Sequence, residues 1–551
     1  MGSQIERLYP TGGASGFDPE TCNLAAYYQQ QYQETFHAAV AAGEVTPFVI
    51  PWSFIGVFFL PLFYLSIPHT NRPWLYRLRW AVAAAVVYLN IRLMQTTSAG
   101  NMAVAYSTGL AAVWGTIWNL RMLIFTHPQR DAARVERRPR SHENGFSKDE
   151  KEKPGAMVAI DESVAASLPH SEYFWQPFPA QASFLTRLGW TADLLTSLRG
   201  GGWNFCISSI PHPPLPKRLP HSAGGGGEHL APVRLDLIPL DSRSGTSRSR
   251  TYASFLRSRL LQFTLSYLTI DLLTITMRRD PYFLLGPDYA SHQTPLPLPH
   301  FLTVLPLQGI SIPLSRNLSA AAGILAGLHL YFSLLQLVCV FLLSRVLGPR
   351  YSELWQHPTL FGSFRLSVCD RGLAGFWGGW WHQTFRLGFT APVRFLFPHV
   401  RSSRAKRARA AAEVVLAFFL SGVLHAAGGI TSVARPTTVA WTPQAFFVSQ
   451  AAGVLLQTGL CALLGTEKRG LPRWVRRAGN LAFVAAWLLF TGCGLIDDMS
   501  RAGLWLFEPV PVSPLRMMGF GSPGESWWRW DGEYGLRWYT GRHWWESGIR
   551  L

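Results

Sequence analysis

Long apolar runs with few charged residues constrain this chain more than any other feature. The strongest run, residues 318–343, is long enough to cross the hydrocarbon core of a bilayer, which takes about 20 helical residues. Inside lipid every backbone polar group must be satisfied within the chain, so only helices and closed barrels can cross. The runs lack the period-two alternation of barrel strands. The sequence therefore predicts an all-α fold, a polytopic transmembrane helical bundle.

About eight spans are predicted. They are residues 48–68, 80–91, 93–120, 261–276, 318–343, 410–430, 445–465 and 481–496. The second is short, and its boundary with the third stays open. Because these spans are separated by polar stretches, the chain is expected to be an integral multi-pass membrane protein.

The charge balance fits a membrane protein better than a nucleic-acid-binding one. Only 15% of the 551 residues are charged, against about 25% in a typical soluble protein, yet the net charge is +18. The basic residues lie in short clusters between apolar spans, notably at 401–409 and 468–477, and the positive-inside rule assigns such clusters to the cytosol. A nucleic-acid site would need them on one soluble domain. We therefore expect contact with membrane lipid and no nucleic acid.

Composition shifts divide the chain into five segments. They are a polar N-terminal segment (1–47), the first spans (48–126), a charged loop (127–180), a main core (181–500) and an aromatic tail (501–551). Residues 130–153 are highly charged, and residues 211–250 are rich in Pro, Gly, Ser and Arg. Both stretches are predicted to be disordered, flexible loops.

His425 is a candidate functional residue because it lies within an apolar span, FFLSGVLHAAGGI. Ionisable groups in membrane helices are costly and often functional. Ser421 lies four residues earlier, on the same helix face. The glycines and alanines around His425 would leave room for a substrate. Equally, His425 could be a structural residue bonded to a neighbouring helix, with the small residues serving helix packing.

A second histidine lies in an aromatic cluster, FWGGWWHQTFR (376–386). Taken alone, Trp377, Trp380 and Trp381 are typical of a belt at the membrane interface, which favours an anchoring role over a functional one for this cluster. The sequence has no HxxxH or HxxHH boxes, so no metal site is expected. A transporter with buried polar residues is the competing class. It would need more charged residues within spans, where Asp271 is the main example.

These motifs, taken together, resemble the wax-synthase-like branch of the membrane-bound O-acyltransferase superfamily, in its fungal form. The segment 376–386 is similar to the family motif FWxRxWHQxxR, and HPTLFG (357–362) resembles the approach to it. RGGGWNF (199–205) resembles RGIGWNW, and SGVLHAAGG (421–429) matches the histidine of the superfamily. Two departures stand out. CDRGLAG (369–375) is longer and richer in glycine than usual, and Gly379-Trp380 stands where a basic residue is common.

The resemblance implies transfer of an acyl group from acyl-CoA to an alcohol. His425 falls on the catalytic histidine, which would act as a general base, and His382 on a second polar position that would bind a substrate oxygen. Trp377, Gln383 and Arg386 fall on other motif positions. Together with Trp381 and Ser421 they are the candidate substrate-binding residues.

The substrates follow from the resemblance as well. Acyl-CoA would be a co-substrate, most simply acetyl-CoA, with no bound cofactor. The acceptor would be a hydrophobic alcohol such as a fungal terpenoid, at the endoplasmic reticulum membrane. A long-chain wax ester synthase acting on fatty alcohols is the alternative within the family.

Overall fold

The computed structural model describes residues 23–137, 173–216, 232–287, 308–433, 441–464, 471–522, 524–530 and 534–551. The expected helical fold is confirmed. The helices are α1 (Leu24–Ala41), α2 (Leu60–Ser66), α3 (Pro73–Arg77), α4 (Arg79–Thr96), α5 (Met102–Leu120), α6 (Pro128–Asp131), α7 (Phe184–Thr196), α8 (Tyr252–Met277), α9 (Pro281–Leu285), α10 (Gln308–Val338), α11 (Ser344–Leu347), α12 (Asp370–Gly375), α13 (Arg386–Leu396), α14 (Ser403–Thr431), α15 (Trp441–Leu464), α16 (Arg473–Thr491), α17 (Cys493–Arg501) and α18 (Pro514–Met517).

Short π-helical turns and strands complete the fold. The π-helical turns are Ile55–Phe59, Arg121–Phe125, Cys339–Leu343, Arg365–Cys369 and Phe376–Trp380. The strands are β1 (Thr46–Pro47), β2 (Val49–Ile50), β3 (Thr97–Ser98), β4 (Ala133–Arg137), β5 (Tyr173–Pro177), β6 (Arg537–Tyr539) and β7 (Gly548–Arg550). They form three small sheets, β1–β3, β2–β7–β6 and β4–β5.

Five helical segments among the described residues are long and apolar enough to cross a membrane. They are Tyr252–Met277, Ile312–Leu347, Ser403–Thr431, Trp441–Leu463 and Arg473–Arg501. Four of them contain a predicted span in full, and Trp441–Leu463 covers residues 445–463 of the predicted 445–465, so the last five spans are confirmed as helices of spanning length.

The three N-terminal spans differ from the prediction. Residues 48–68 contain a shorter apolar helix, Trp52–Ser66, preceded by strand β2. The run 93–120 is broken, because α4 ends at Thr96 and α5 begins at Met102. At the break, the Asn101 side chain accepts hydrogen bonds from the backbone N–H groups of Ala103 and Val104 and so starts a new helix. The total of eight spans therefore stays a prediction.

Close helix packing brings α5 against α14 in an antiparallel arrangement. A Cβ added to Gly109 would lie 1.9 Å from the carbonyl oxygen of Ala427, so only glycine fits there. One turn along, the Thr431 hydroxyl donates to the carbonyl of Ala105 and accepts from the backbone N–H of Gly109. This contact fixes the height of α14 beside α5, and with it the position of His425.

Part of the predicted flexible loop is ordered instead. Residues 217–231, which include the GGGG run, lie outside the described residues, as do residues 138–172 of the charged loop. Residues 232–250, however, pack against the main core. Ser244 is buried, its hydroxyl donates to the carbonyl of Ser209, and its own carbonyl accepts from the backbone N–H of Ser363. Small side chains, which suggested flexibility, here permit close backbone contact.

The aromatic tail is held by a buried ionic network rather than only by its apolar surface. Glu508 is fully buried and pairs with Arg278 at 2.8 Å, Arg516 at 3.0 Å and Arg529 at 2.8 Å. Asp271 accepts hydrogen bonds from the Ser513 hydroxyl and the backbone N–H of Leu515. The charged residue within α8, Asp271, therefore anchors the tail. It has a structural role, so it no longer supports the transporter alternative.

Candidate active site

The motif 376–386 forms an irregular turn rather than a continuous helix. Its first part, Phe376–Trp380, is π-helical, Trp381 is extended, and α13 begins at Arg386. Gln383 closes the turn, since its amide nitrogen donates to the carbonyls of Trp377 and Trp381 and its amide oxygen accepts from Arg386 at 3.3 Å. Gln383 and Arg386 thus shape the loop that carries His382.

Trp377 joins this turn to α15 and α16. Its indole N–H donates to the side-chain oxygen of Gln450 at 3.3 Å, and Gln450 in turn donates to the Thr491 hydroxyl at 2.8 Å. The Trp377 ring packs against Phe418 and Phe447. Trp377 is therefore a partly buried residue of the protein interior. The interface-belt interpretation, which the sequence favoured for this cluster, does not describe it.

The other two tryptophans of the motif also pack inside the protein. Trp380 contacts Phe361 with 5.3 Å between ring centroids, and Trp381 stacks on Phe376 at 5.8 Å with an interplanar angle of 16°. Trp381 also lies beside the His382 ring at 5.2 Å. These contacts form an aromatic wall on one side of His382.

His382 has an unusual polar environment. Its Nδ1 atom and the hydroxyl of Thr384 are both buried and have no hydrogen-bond partner among the described residues. Buried polar atoms without partners are rare in folded proteins and indicate a place for a ligand or water. Burial lowers the pKa of His382 to about 3, and the nearby imidazole of His425 acts in the same direction. His382 is therefore neutral at physiological pH.

His425 lies on α14, partly exposed, with its ring stacked on Phe447 at 4.9 Å and an interplanar angle of 16°. Its Nδ1 atom is 3.5 Å from the Tyr106 hydroxyl, which donates to the carbonyl oxygen of His425 at 3.3 Å. Its Nε2 atom has no hydrogen-bond partner within the described part of the chain. Because Phe447 contacts both His425 and Trp377, the two motifs share one aromatic surface.

The small residues near His425 do not leave the open space that the sequence suggested. A Cβ on Gly428 would lie 2.7 Å from the Tyr106 ring, and one on Gly422 would lie 2.4 Å from the Gln444 side chain. These glycines serve helix packing, as the structural alternative predicted. Ser421 remains partly exposed on the same helix as His425.

Two further motif segments meet beside this site. Arg199 of RGGGWNF donates to the carbonyls of Pro358 and Thr359 in HPTLFG. Gly200 and Gly202 have positive φ values of 68° and 77°, which lets the chain turn sharply next to Arg199. The segments that carry the resemblance are thus joined in space as well as ordered in sequence.

Sequence reasoning missed Tyr106, Thr384 and Phe447. Tyr106 is 319 residues before His425, so no local pattern could connect them. Thr384 lies within the motif, two residues after His382, but a single threonine does not stand out in a sequence. Only the structure shows that its buried hydroxyl has no hydrogen-bond partner among the described residues. In the sequence, Phe447 cannot be distinguished from the other apolar residues of its predicted span.

Comparison with known proteins supports the membrane-bound O-acyltransferase class. Residues 357–449, which contain His382 and His425, match the model of the membrane bound O-acyl transferase family. The expected superfamily is therefore supported, and with the five apolar helices the match supports a membrane protein and an enzyme of the acyltransferase class.

Three fungal relatives extend this similarity beyond the matched segment. The O-Mevalon transferase macI of Penicillium terrestre is 24% identical over 56% of this chain and 62% of its own length. The O-Mevalon transferase yanI of Aspergillus niger is 27% identical over 55% of the chain and 60% of its own length. The acetyltransferase ple2 of Rhodocybe pseudopiperita is 28% identical over 56% and 66%. The chain thus spans less than two thirds of these relatives. No solved structure matches it.

Proposed function

We propose that this protein transfers an acyl group, most simply acetyl, from acyl-CoA to the hydroxyl of a hydrophobic fungal metabolite such as a terpenoid. We further place it in the wax-synthase-like branch and in the endoplasmic reticulum membrane. The observation that carries the proposal is the shared aromatic surface beneath His382 and His425, together with the buried Nδ1 atom of His382, which has no hydrogen-bond partner among the described residues. The acetyltransferase relative supports the choice of acyl group.

In this proposal His425 is the general base. The Tyr106 hydroxyl donates to the His425 carbonyl, so its oxygen can accept a hydrogen bond from Nδ1–H. That tautomer leaves the lone pair of Nε2 free to take the proton of the acceptor alcohol as its oxygen attacks the thioester carbonyl. The imidazolium then returns the proton to the departing CoA thiolate. General-base help of this kind contributes about 10²- to 10⁴-fold in rate.

His382 has the complementary role in the proposal. A neutral imidazole can donate one hydrogen bond to the oxyanion that develops on the carbonyl oxygen. Trp381 and Trp377 would form the apolar wall for the acyl chain, and Ser421 would lie along the same face of α14 as His425. Gln383 and Arg386 would hold the turn that carries His382 in shape beside the substrate.

The test is an assay of membranes that contain the protein, supplied with radiolabelled acetyl-CoA or palmitoyl-CoA and a panel of terpenoid and fatty alcohols. Label in an ester of a terpenoid alcohol with acetyl-CoA supports the proposal, whereas palmitoyl esters of fatty alcohols would favour the wax ester alternative. The two O-Mevalon transferase relatives make a mevalon group the second candidate for transfer. Movement of an alcohol across vesicles without ester formation would favour a transporter.

A further inference from the structure

Gly379 occupies the motif position where a basic residue is common, and the structure leaves no room for one. A Cβ on Gly379 would lie 2.3 Å from Nη2 of Arg371 and 2.6 Å from the hydroxyl of Ser367. The guanidinium of Arg371 thus fills the space in which a side chain at position 379 would begin. The glycine in the motif and the arginine eight residues earlier are sterically coupled.

The glycine-rich segment CDRGLAG explains how Arg371 reaches this place. Gly372 has φ 58° and ψ −140°, a backbone conformation that strongly favours glycine and that kinks α12 directly after Arg371. A Cβ on Gly375 would lie 1.9 Å from the carbonyl oxygen of Ser367, so glycine is needed there for close approach. The two departures from the family motif are therefore parts of one rearrangement that delivers a guanidinium to Gly379.

One edge of the Arg371 guanidinium is fixed and the side chain is otherwise exposed. Nη2 donates to the hydroxyl of Ser367 at 3.0 Å, and Ser367 is fully buried and donates to the carbonyl of Ser244 at 3.3 Å. Arg371 itself is exposed. The arrangement holds the charge in a defined position while leaving donors free for a ligand.

A second guanidinium lies on the other side of the same turn. Nη1 of Arg386 is 3.5 Å from the carbonyl oxygen of Gly378, and nothing lies within 4 Å of where a Gly378 Cβ would be. The turn is therefore open at Gly378.

Two carboxylates lie near this pair, and Glu413 acts electrostatically on Arg386, but the hydrogen bonds of both carboxylates go to other arginines. Asp370 is bonded to Arg477 at 2.6 Å and Glu413 to Arg394 at 3.3 Å. Neither Arg371 nor Arg386 has a carboxylate hydrogen-bond partner within the described ranges. Two forked cationic groups beside an open glycine turn suit a phosphate, which guanidinium groups bind with charge-assisted hydrogen bonds.

We propose that Arg371 replaces the missing basic residue of the motif and, with Arg386 and the Gly378–Gly379 turn, binds the phosphate groups of the acyl-CoA donor. This inference rests on the proposed function. The pantetheine arm of CoA separates the phosphates from the thioester, so a phosphate site need not touch His382. The same phosphate chemistry could come from an anionic lipid headgroup, and the experiment separates the two sources.

The experiment uses the full-length protein in neutral phosphatidylcholine nanodiscs with two donors. One is acetyl-CoA, and the other is acetyl-N-acetylcysteamine, a thioester without phosphates. Arg371→Ala should raise KM for acetyl-CoA about 10- to 100-fold, the range for hydrogen bonds to charged groups, with kcat within about twofold. With the phosphate-free donor the variant should match the wild type. Arg365→Ala, which removes an exposed arginine of the preceding π-helical turn, is the matched control.

A conservative variant guards against misfolding. Arg371→Lys keeps a cation at this place, and it should show clearly less of the KM loss than Arg371→Ala. Equal losses with both donors would show that Arg371 is structural and would overturn the proposal, as would an unchanged KM. A KM defect that appears only when anionic lipid is added would assign the site to a headgroup instead.

Failure of the proposed function would have a different signature. If the wild type transfers acetyl from neither donor to any alcohol, binding of coenzyme A itself is measured by calorimetry. If Arg371→Ala binds coenzyme A at least about tenfold more weakly than the wild type, the proposed phosphate site stands even though the proposed reaction does not. Equal binding by both proteins would overturn the site.

Discussion

The two ring nitrogens of His425 have different surroundings, and the proposed reaction uses them differently. Nδ1 faces the Tyr106 hydroxyl at 3.5 Å, whereas Nε2 has no partner within the described part of the chain. His425 is partly exposed, so Nε2 is accessible to a substrate, and the functional interpretation of His425 stays a prediction for substitution to test.

Replacing His425 by asparagine tests the general-base role. Asparagine keeps a polar group of similar size but cannot accept a proton at neutral pH, so acyl transfer should fall about 10²-fold or more. Initial rates are compared in membranes of equal protein content. His399→Asn, an exposed histidine before α14, should behave as the wild type. If His425→Asn kept more than about a tenth of wild-type turnover, the base would have to be sought elsewhere.

His382 makes a prediction about acid stability. The unfolded side chain has a pKa of about 6.5, and burial lowers the folded value to about 3. Below pH 6.5 the unfolded chain binds a proton that the folded chain does not. Stability is therefore complete above pH 6.5 and falls as the pH drops toward 3, by up to about 1.4 kcal/mol per pH unit.

His382→Gln should have a shallower loss of stability in this window. Thermal unfolding midpoints of the detergent-solubilised wild type and variant, taken from pH 7 to pH 4, measure the difference. Parallel curves would mean that His382 titrates normally in the folded protein and is not the buried neutral ring described above.

At the scale of elements, the site depends on π-helical turns. The turn Phe376–Trp380 and the turn Arg365–Cys369 both interrupt regular helix beside the candidate site. Such turns are often found at functional sites, since they leave backbone groups unpaired or redirect side chains. Here the turn Phe376–Trp380 directs the Trp377 side chain against α15. It also lets Gln383 close the turn that carries His382.

The ionic network of the tail predicts a large stability effect from one carboxylate. Glu508→Gln leaves Arg278, Arg516 and Arg529 without their shared counter-charge in a buried site. Breaking a buried ion pair by removing one partner costs about 3–5 kcal/mol. The thermal unfolding midpoint of the solubilised protein should fall clearly.

A surface pair supplies the comparison. Arg234 and Asp236 form an exposed ion pair at 2.5 Å, so Arg234→Gln should leave the thermal unfolding midpoint nearly unchanged. If Glu508→Gln were as mild as Arg234→Gln, the tail would be docked by its apolar contacts alone.

At the scale of the whole molecule, the basic clusters and the tail lie at opposite ends of the bundle. The start of α14 contacts the end of α13, which follows the motif 376–386, through Arg409 and Phe397, and α16 contacts α12, which precedes the motif, through Arg477 and Asp370. The far end of α14, by contrast, meets β3 at Ser98, close to the strands that pair with the tail. We therefore expect the motif 376–386 to face the cytosol and the tail 501–551 to lie on the other side of the membrane.

Cysteine labelling tests this orientation. In a background without the native cysteines, Ser403→Cys and Arg473→Cys should react with an impermeant reagent from the cytosolic side, and Arg542→Cys only after the opposite side is opened. All three positions are exposed. Labelling of Ser403→Cys and Arg542→Cys from one side would contradict both the positive-inside assignment and the arrangement of the bundle.

Much of the fold could be read from composition along the chain. The last five spans were predictable because hydropathy over about 20 residues depends only on local sequence. The first three spans were less predictable. Strand β2 shortens the run 48–68, and Asn101 caps a new helix within the run 93–120. Residues 232–250 read as flexible because Ser, Gly and Arg give no apolar pattern, and only their contacts with the main core order them.

For the candidate site, the sequence alone determined which side chains to examine, and the tertiary structure decided what each one touches. His382 and His425 stood out because motif order and an ionisable residue in an apolar span are properties of the chain itself. The partnering of His425 with Tyr106, and the way Arg371 fills the space beside Gly379, depend on contacts between separate elements. Close packing fixes such contacts to within a few tenths of an ångström, and no local pattern encodes them.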